Sequence, residues 1–354
     1  MVTIREIAKA CSVSIATVSN VLNHKGGVSD ETRSTVLAKV EELHYVPNSV
    51  AKNLKTKKTH MIGIVVEDIT VFSVPGVVDG ITAYCENHGY GMSLVNLRLY
   101  QKWGDHYYYK TDYYPQVTAA LNHLAADQVE AIIYISAEER ELGCLPSNFP
   151  IPLVMSYAYS STLGIPSVLL NEQDAAQQLV EHALSLGHRR IGVITGKQMS
   201  THTQQRLDGY RRALAAYGLP YEEALICEGD WSRESGQLCA DTLIDRGVTA
   251  IFCMNDLMAG GVYDCLNRRG LRVGHDCSVL GYDDRVQSEY FDPPLTTVRL
   301  PLYNVGYHAA ALALEMLRGV PREQVAQETF IPCQLILRNS VAAIPAPPVV
   351  RQAR

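Results

Sequence analysis

Ser14-Ile15-Ala16-Thr17-Val18-Ser19-Asn20-Val21-Leu22 opens with a serine suited to capping a helix. It then spaces Ile15, Val18 and Leu22 at three and four residues, one apolar helix face. The other face offers Ala16, Thr17, Ser19 and Asn20, small or polar groups suited to a DNA major groove. Upstream, Thr3-Ile4-Arg5-Glu6 fits a capping box, in which hydroxyl and carboxylate satisfy free N–H groups at a helix start, and predicts a helix over 4–11. Downstream, Ser29 followed by Asp30 and Glu31 predicts a third helix to about His44, its acids placed where the helix dipole favours them. Three short helices in this order make an all-α helix-turn-helix head over 1–46, although three-helix heads also serve as protein-interaction modules.

The charge distribution agrees with that head. The chain carries 31 Lys and Arg against 37 Asp and Glu, a net −6. Residues 1–58 hold nine of the basic residues against five acids, a balance of +4 that leaves −10 for the remainder. A basic footprint matters only where it lies. At 354 residues and 47% hydrophobic content, more than one core is expected. The nine cysteines include no C-x-x-C pair, so reduced, mostly buried thiols are expected rather than a disulfide framework or a zinc site. The N-terminus lacks an apolar signal core, and no apolar run approaches the roughly 18 to 20 residues of a bilayer span. A cytoplasmic protein with no membrane partner, no metal and no cofactor is the expectation.

Residues 47–59 read as a hinge: Ser49 to Lys55 is compatible with about two helical turns, too short to be stable alone. From Met61, short apolar runs alternate with helical patterns, the signature of parallel α/β sheets. Strands are expected near 62–66, 92–95, 131–135, 153–155, 168–170, 191–195, 225–227, 250–253 and 278–281. A late apolar strand (295–299) and helix (303–317) suggest two Rossmann-like lobes with exchanged terminal segments. The expected boundaries are 60–162 with 292–320 for the first lobe, and 163–291 with 321–340 for the second. Ligands of such sheets bind beyond the carboxyl ends of the strands, which makes the cleft between lobes the natural pocket. Residues 341–354 read as a flexible, proline-rich tail without leucine heptads.

Enzyme signatures fail. Strand 62–66 runs into Glu67-Asp68 rather than G-x-G-x-x-G, Gly196-Lys197 lacks the upstream Walker glycine, and neither H-E-x-x-H nor G-x-S-x-G occurs. No catalytic residue is assigned.

Several motifs carry a family resemblance. Thr3-Ile4, Ile7-Ala8, Val13-Ser14, Ala16-Thr17-Val18-Ser19, Val21-Leu22-Asn23, Val28-Ser29, Thr32-Arg33, Tyr45-x-Pro47-Asn48 and Ala51-x-x-Leu54 closely resemble the head and hinge of LacI/GalR transcription regulators. The resemblance implies operator contacts from Thr3, Ser14, Ala16, Thr17, Ser19, Asn20, Asn23, Val28, Ser29, Arg33, Tyr45 and Asn48. It further implies that paired hinge helices enter the minor groove, with Leu54 wedged in a base step and Lys52 or Lys55 on phosphates. Where the family often has a guanine-reading Arg, this chain has Asn20, which pairs better with adenine and implies an altered base preference. A solvated or phosphate-contacting Asn20 is the alternative.

Further along, Leu186-Gly187-His188-Arg189-Arg190-Ile191, Arg206-x-x-Gly209-Tyr210, Asn255-Asp256-x-Met258-Ala259-x-Gly261, Gly281-Tyr282-Asp283-Asp284 and Asp292-Pro293-Pro294-Leu295-Thr296-Thr297 resemble the same family's sensor, a two-lobed α/β domain like the periplasmic binding proteins. By resemblance Arg206, Asn255 and Asp283 are effector ligands, Trp231 is an aromatic wall, and Asp68 and Phe72 flank the site from the first lobe. A plain ion pair between Arg206 and Asp283, or a core tryptophan, would explain the same residues. The implied molecule is a dimeric repressor on a pseudo-palindromic operator, tuned by a small molecule such as a sugar. A transport or chemotaxis receptor of the same fold is the alternative, disfavoured by the basic head.

Departures from the family pattern concern the ligand. Val71-Phe72-Ser73-Val74 replaces the usual N-P-F-F, so the first lobe's aromatic partner is displaced or lost; Asn171 and Leu300 replace a common Asp and Gln. Residues 97–116 are about a dozen longer than usual and hold Tyr100, Trp103, Tyr107, Tyr108, Tyr109, Tyr113 and Tyr114. They are expected to cap the cleft, or else to form a surface excursion or dimer contact.

Overall fold

The computed structural model describes residues 2–45, 58–146, 148–161, 165–321 and 324–344. Asn48, Lys52, Leu54 and Lys55, and the tail beyond 344, lie outside the described residues. The described chain forms two units, one within 1–59 and one from His60 onward.

In the first unit, helices Ile4–Ala10, Ile15–Leu22 and Asp30–Glu42 start on the expected caps. Thr3 and Glu6 form the full capping box, and the Ser14 and Ser29 side chains accept from the Thr17 and Thr32 amides. Ile7, Ala8, Val18, Val21 and Val36 make the small core, with Val28 and Tyr45 packed against it. One detail differs from the periodicity reading. Ile15 is 45% exposed, and Val18 with Val21 forms the buried edge of the second helix. The reason is local: Ile15 is the first helical residue, at the free end of the turn.

The second unit holds two parallel sheets. The first runs Glu328–Pro332, Ser167–Asn171, Leu153–Ser156, Ala131–Ile135, Met61–Val66, Gly91–Asn96; the second runs Ile226–Glu228, Ile191–Thr195, Ala250–Cys253, Ser278–Leu280. Central strands such as Ala131–Ile135 and Ile191–Thr195 are buried at every residue, as expected for strands covered on both faces. An antiparallel ribbon of Thr297–Arg299 and Gln334–Ile336 joins the two halves.

This topology corrects the expected lobe boundaries. Ser167–Asn171 and Glu328–Pro332 pair with each other in the first sheet, whereas the sequence reading gave both to the second lobe. Residues 292–299 were expected in the first lobe, but Gly281 donates to the Thr296 carbonyl at 2.9 Å, fastening that stretch to the second sheet. The chain therefore crosses between lobes at Asn171–Glu172, near 300, and near 333, and parallel pairing in a distant sheet leaves no local mark at any of the three.

The thiol expectation is also corrected at one place. Cys227 and Cys239 are joined as a disulfide between the Ile226–Glu228 strand and the Arg233–Asp245 helix, while the other seven cysteines are free. Their spacing of twelve residues matches no motif that sequence reading would flag.

The Ser73–Asn87 helix, which starts at the cleft, packs against Leu302–Leu317 through glycines. A Cβ on Gly80 would stand 1.9 Å from the Tyr303 carbonyl oxygen, and one on Gly306 1.9 Å from that of Val77. Neither backbone can retreat without parting the helices. Gly80→Ala should lower the free energy of unfolding by about 1–3 kcal/mol or more in a denaturant titration, whereas Gly143→Ala, whose Cβ would meet nothing within 4 Å, should change it by less than about 0.5 kcal/mol.

Candidate functional site

A cavity of about 480 Å³ lies between the two sheets of the second unit. Its lining comes from turns just past strand ends: Thr70 to Ser73, Ala137 and Glu138, and Tyr157 on one side; Asp230 to Ser232, Asn255 and Asp283 on the other.

The base of the cavity is set by the joint between lobes. Glu172 is the first residue after the Ser167–Asn171 strand and opens the Glu172–Ser185 helix, fully buried. Arg206, on the Thr201–Ala216 helix, donates Nη2 to Glu172 Oε1 at 2.7 Å and Nε to Oε2 at 3.1 Å. The two helices come this close because Gly209 has no side chain; a Cβ there would stand 2.4 Å from the Gln173 carbonyl oxygen. Tyr210 then fixes the helix by donating its hydroxyl to the Ile191 carbonyl. Arg206 also donates to the Met254 carbonyl and lies over the Tyr282 ring, 3.9 Å from its centroid. His202 Nδ1 meets Glu172 Oε2 at 2.9 Å. Burial works to raise the Glu172 carboxyl, but the charges of Arg206 and His202 and their hydrogen bonds outweigh it and hold it at about 2.

The other expected ligand residues stand around this pair. Asn255 caps the Asp256–Arg268 helix through Met258 N–H at 2.8 Å and donates to the Trp231 carbonyl at 3.0 Å. Trp231 takes a left-handed backbone, φ 72°, and its ring lies on Gly196, where a Cβ would stand 1.9 Å from Cζ2. Asp283 also has positive φ, at 110°. Its carboxylate accepts from Arg285 Nε at 3.0 Å and stands 3.9 Å from Arg206 Nη1, so its principal partner is Arg285 rather than Arg206. Burial raises the Asp283 carboxyl, against the pull of Arg285 and Arg206. Phe72 is at the cavity with Arg285 stacked over its ring at 4.1 Å, so the first lobe keeps an aromatic there after all. Asp68 does not line the cavity. It is buried behind the wall, accepting from Thr70 Oγ1 at 2.7 Å and from the Gln101 amide at 2.9 Å.

Gln101 belongs to the tyrosine-rich stretch, which is helical: Leu99–Trp103, a 3-10 turn at Gly104–Tyr109, then Tyr114–Ala126. Tyr100, Tyr108 and Tyr109 line the cavity, while Tyr107 and Tyr113 are buried. Beneath them Arg140 donates to both Glu67 oxygens, at 2.6 and 3.1 Å, and to the Tyr113 hydroxyl at 2.8 Å. Tyr107 and Tyr134 donate to Glu67 as well. Asp105 pairs with Lys197 from the other lobe.

Sequence reading missed Glu172, Tyr282, Tyr157, His202, Glu138 and Arg285. Tyr282 stands in the Gly281-Tyr282-Asp283-Asp284 motif, next to Asp283; the others stand in none, and of the two carboxylates near Arg206, Glu172 makes the bidentate bonds while Asp283 stands at 3.9 Å.

In the head, Ala16 and Asn23 are exposed, and Thr17, Ser19 and Asn20 half-buried, along one helix edge. Ser14, Thr17, Ser29 and Thr3 spend side-chain groups on caps, Asn23 bonds back to Ser19, and Arg33 donates to the Lys25 carbonyl. The Asn20 amide makes no hydrogen bond to a described residue.

Comparison with known proteins bears on both units. A family model described as bacterial regulatory proteins, lacI family, matches residues 3–48, and one described as periplasmic binding protein-like domain matches 180–341. The HTH-type transcriptional repressor PurR of Vibrio cholerae serotype O1 is 33% identical over 329 residues, covering 92% of this chain and 94% of that protein. Catabolite control protein A of Priestia megaterium is 32% identical, with 93% and 96% covered. Among solved structures, the lac repressor dimer bound to operator and the anti-inducer ONPF matches with a TM-score of 0.80 at 27% identity, over 97% of this chain and 99% of that one. The complex of the transcriptional regulator CelR with cellobiose matches at 0.62 and 26%, over 96% and 100%. With a regulatory head, a binding-protein-like body and repressors aligned along nearly its whole length, the chain belongs to the LacI family of bacterial regulatory proteins and is a transcription regulator, not an enzyme.

Proposed function

We propose that this protein is a DNA-binding repressor, acting as a homodimer on a pseudo-palindromic operator, whose affinity is set by a sugar or sugar derivative held in the 480 Å³ cavity. The observation that carries this reading is the convergence of Arg206, Asn255, Asp283, Trp231 and Phe72 from two lobes onto one space. Charged and amide groups hold hydroxyls by directed hydrogen bonds, and an indole face covers the apolar side of a pyranose ring. Tyr100, Tyr108 and Tyr109 add aromatic surface from the first lobe, which supports the capping role for the tyrosine-rich stretch. The lac repressor dimer with operator and the CelR complex with cellobiose make the same assignment reasonable here. A receptor for transport would have no use for the capped three-helix head.

Ligand would act by favouring one arrangement of the lobes, and through residues 47–59 the spacing of two heads. Coupling of about 1–3 kcal/mol would change operator affinity by roughly 5- to 150-fold. The test is a gel shift against duplex from upstream of the protein's own gene, with mono- and disaccharides added in turn. One of them should shift operator affinity within that range, and Trp231→Ala should abolish the response while leaving ligand-free operator binding intact.

Asn20, with its amide uncommitted, is assigned to base contact. Selection from a random duplex pool should return adenine opposite this residue, and Asn20→Ala should relax that position at a cost of about 1–3 kcal/mol. Unchanged selection would remove the assignment.

The lobes also meet at Glu139, whose amide donates to His202 Nε2 at 3.2 Å and whose Oε1 accepts from Gln205 at 2.8 Å. Burial, with the charge of Glu172 added and that of His202 opposing, raises this carboxyl to about 7 from an ordinary 4.5. A group raised on folding contributes stability that is whole below its unfolded value and is lost as pH climbs through its folded one. Glu139→Gln should therefore raise unfolding stability at pH 8 by on the order of 3 kcal/mol and flatten its fall between pH 5 and 8. An unchanged pH profile would show that the residue ionises as freely folded as unfolded.

A further inference from the structure

The charges around the cavity are almost all paired within the protein. Arg206 is matched by Glu172, Arg285 by Asp283, and Asp105 by Lys197. Asp230 accepts from the amide and hydroxyl of Ser232. His202 has its two ring nitrogens on Glu172 and on the Glu139 amide. Glu138 is the exception. It lines the cavity, is 8% exposed, and among the described residues its carboxylate accepts no hydrogen bond and meets no cation.

Its backbone is held firmly, since the Ser136 hydroxyl and Arg140 both donate to its carbonyl, at 2.6 and 3.1 Å. Lys197 feels the Glu138 charge but is committed to Asp105. A ligand that brings a positive donor into the cavity can therefore pair with this carboxylate without displacing a cation already bound to it. The neighbouring surface suits a cation too. Tyr100, Tyr109 and Tyr157 border the space, and the Tyr108 and Trp231 rings beside them already carry the Arg140 and Arg206 guanidinium groups, at 5.3 and 5.8 Å. Aromatic faces attract ammonium groups, and most strongly where water is excluded.

We propose that the effector is an amino sugar, whose protonated amine sits on the Glu138 carboxylate among these rings while Arg206, Asn255 and Asp283 take its hydroxyls. This deepens the reading of the cavity as a saccharide site and rests on it. The partnered carboxylates cannot serve in its place without giving up their own cations.

The experiment is calorimetric titration of the full-length protein with matched sugars: glucosamine against glucose, and the β-1,4-linked glucosamine disaccharide against its di-N-acetyl form and cellobiose. N-acetylation removes the charge and keeps the ring. The aminated member of at least one set should bind roughly tenfold tighter or better, the worth of a charge-assisted hydrogen bond. Glu138→Gln, checked by thermal unfolding to be folded, should bring it down to the level of its neutral counterpart. If a neutral sugar binds wild type as tightly as its amine, or if the preference survives in Glu138→Gln, the amine proposal is overturned. Should that neutral sugar lose its binding on Arg206→Ala, the saccharide reading of the cavity stands without the amine. If no sugar in either set binds, the amine proposal is overturned, and the saccharide reading is decided separately by the gel-shift series of mono- and disaccharides.

Discussion

The bidentate pair between Arg206 and Glu172 organises the ligand-sensing unit. Both groups are buried, and a buried charge is tolerable only when matched in geometry as well as sign. Glu172 sits where the chain passes from one lobe to the other, so the pair fixes the joint itself. The motif residues around it follow from that demand. Gly209 lets the two helices close on one another, Tyr210 anchors the helix to the sheet, and Tyr282 lays its ring on the guanidinium while donating its hydroxyl to the Glu172 carbonyl. Asp283, next in the chain, is thereby held at the cavity rim with a partner of its own.

A second ion pair does for the first lobe what this one does for the joint. Glu67 and Arg140 are packed under Tyr107 and Tyr113, and they hold residues 97–116 through the hydroxyls of those two tyrosines. Asp68 pins the start of the same stretch through the Gln101 amide. This stretch carries short helices and sets Tyr100, Tyr108 and Tyr109 at the cavity. The residues that the family resemblance places against ligand and those that secure this stretch are neighbours in sequence: Glu67, Asp68, Phe72.

How much of this was readable beforehand varies with the range of the interaction. The head was legible because its signals are local: Thr3 with Glu6, Ser14 with Thr17, Ser29 with Thr32. Alternating strands and helices were legible for the same reason. Lobe boundaries were not, because Ser167–Asn171 and Glu328–Pro332 read like any other strand and only their pairing decides which sheet they join. Within the cavity, Arg206, Asn255, Asp283 and Trp231 stand in motifs whose spacing survives in the linear chain. Glu172 and Glu138 stand in none; what marks them is burial, which depends on the whole fold. Asp68 stands off the cavity because Thr70 and the Gln101 amide already occupy its oxygens.

The Asp105–Lys197 link ties residues 97–116 of one lobe to the strand end of the other. Because both of its side chains are partly solvent-exposed, added salt screens this tie, whereas the buried Arg206–Glu172 pair is screened far less. The two fastenings between the lobes therefore answer differently to ionic strength: the outer one slackens while the joint at the base keeps its grip.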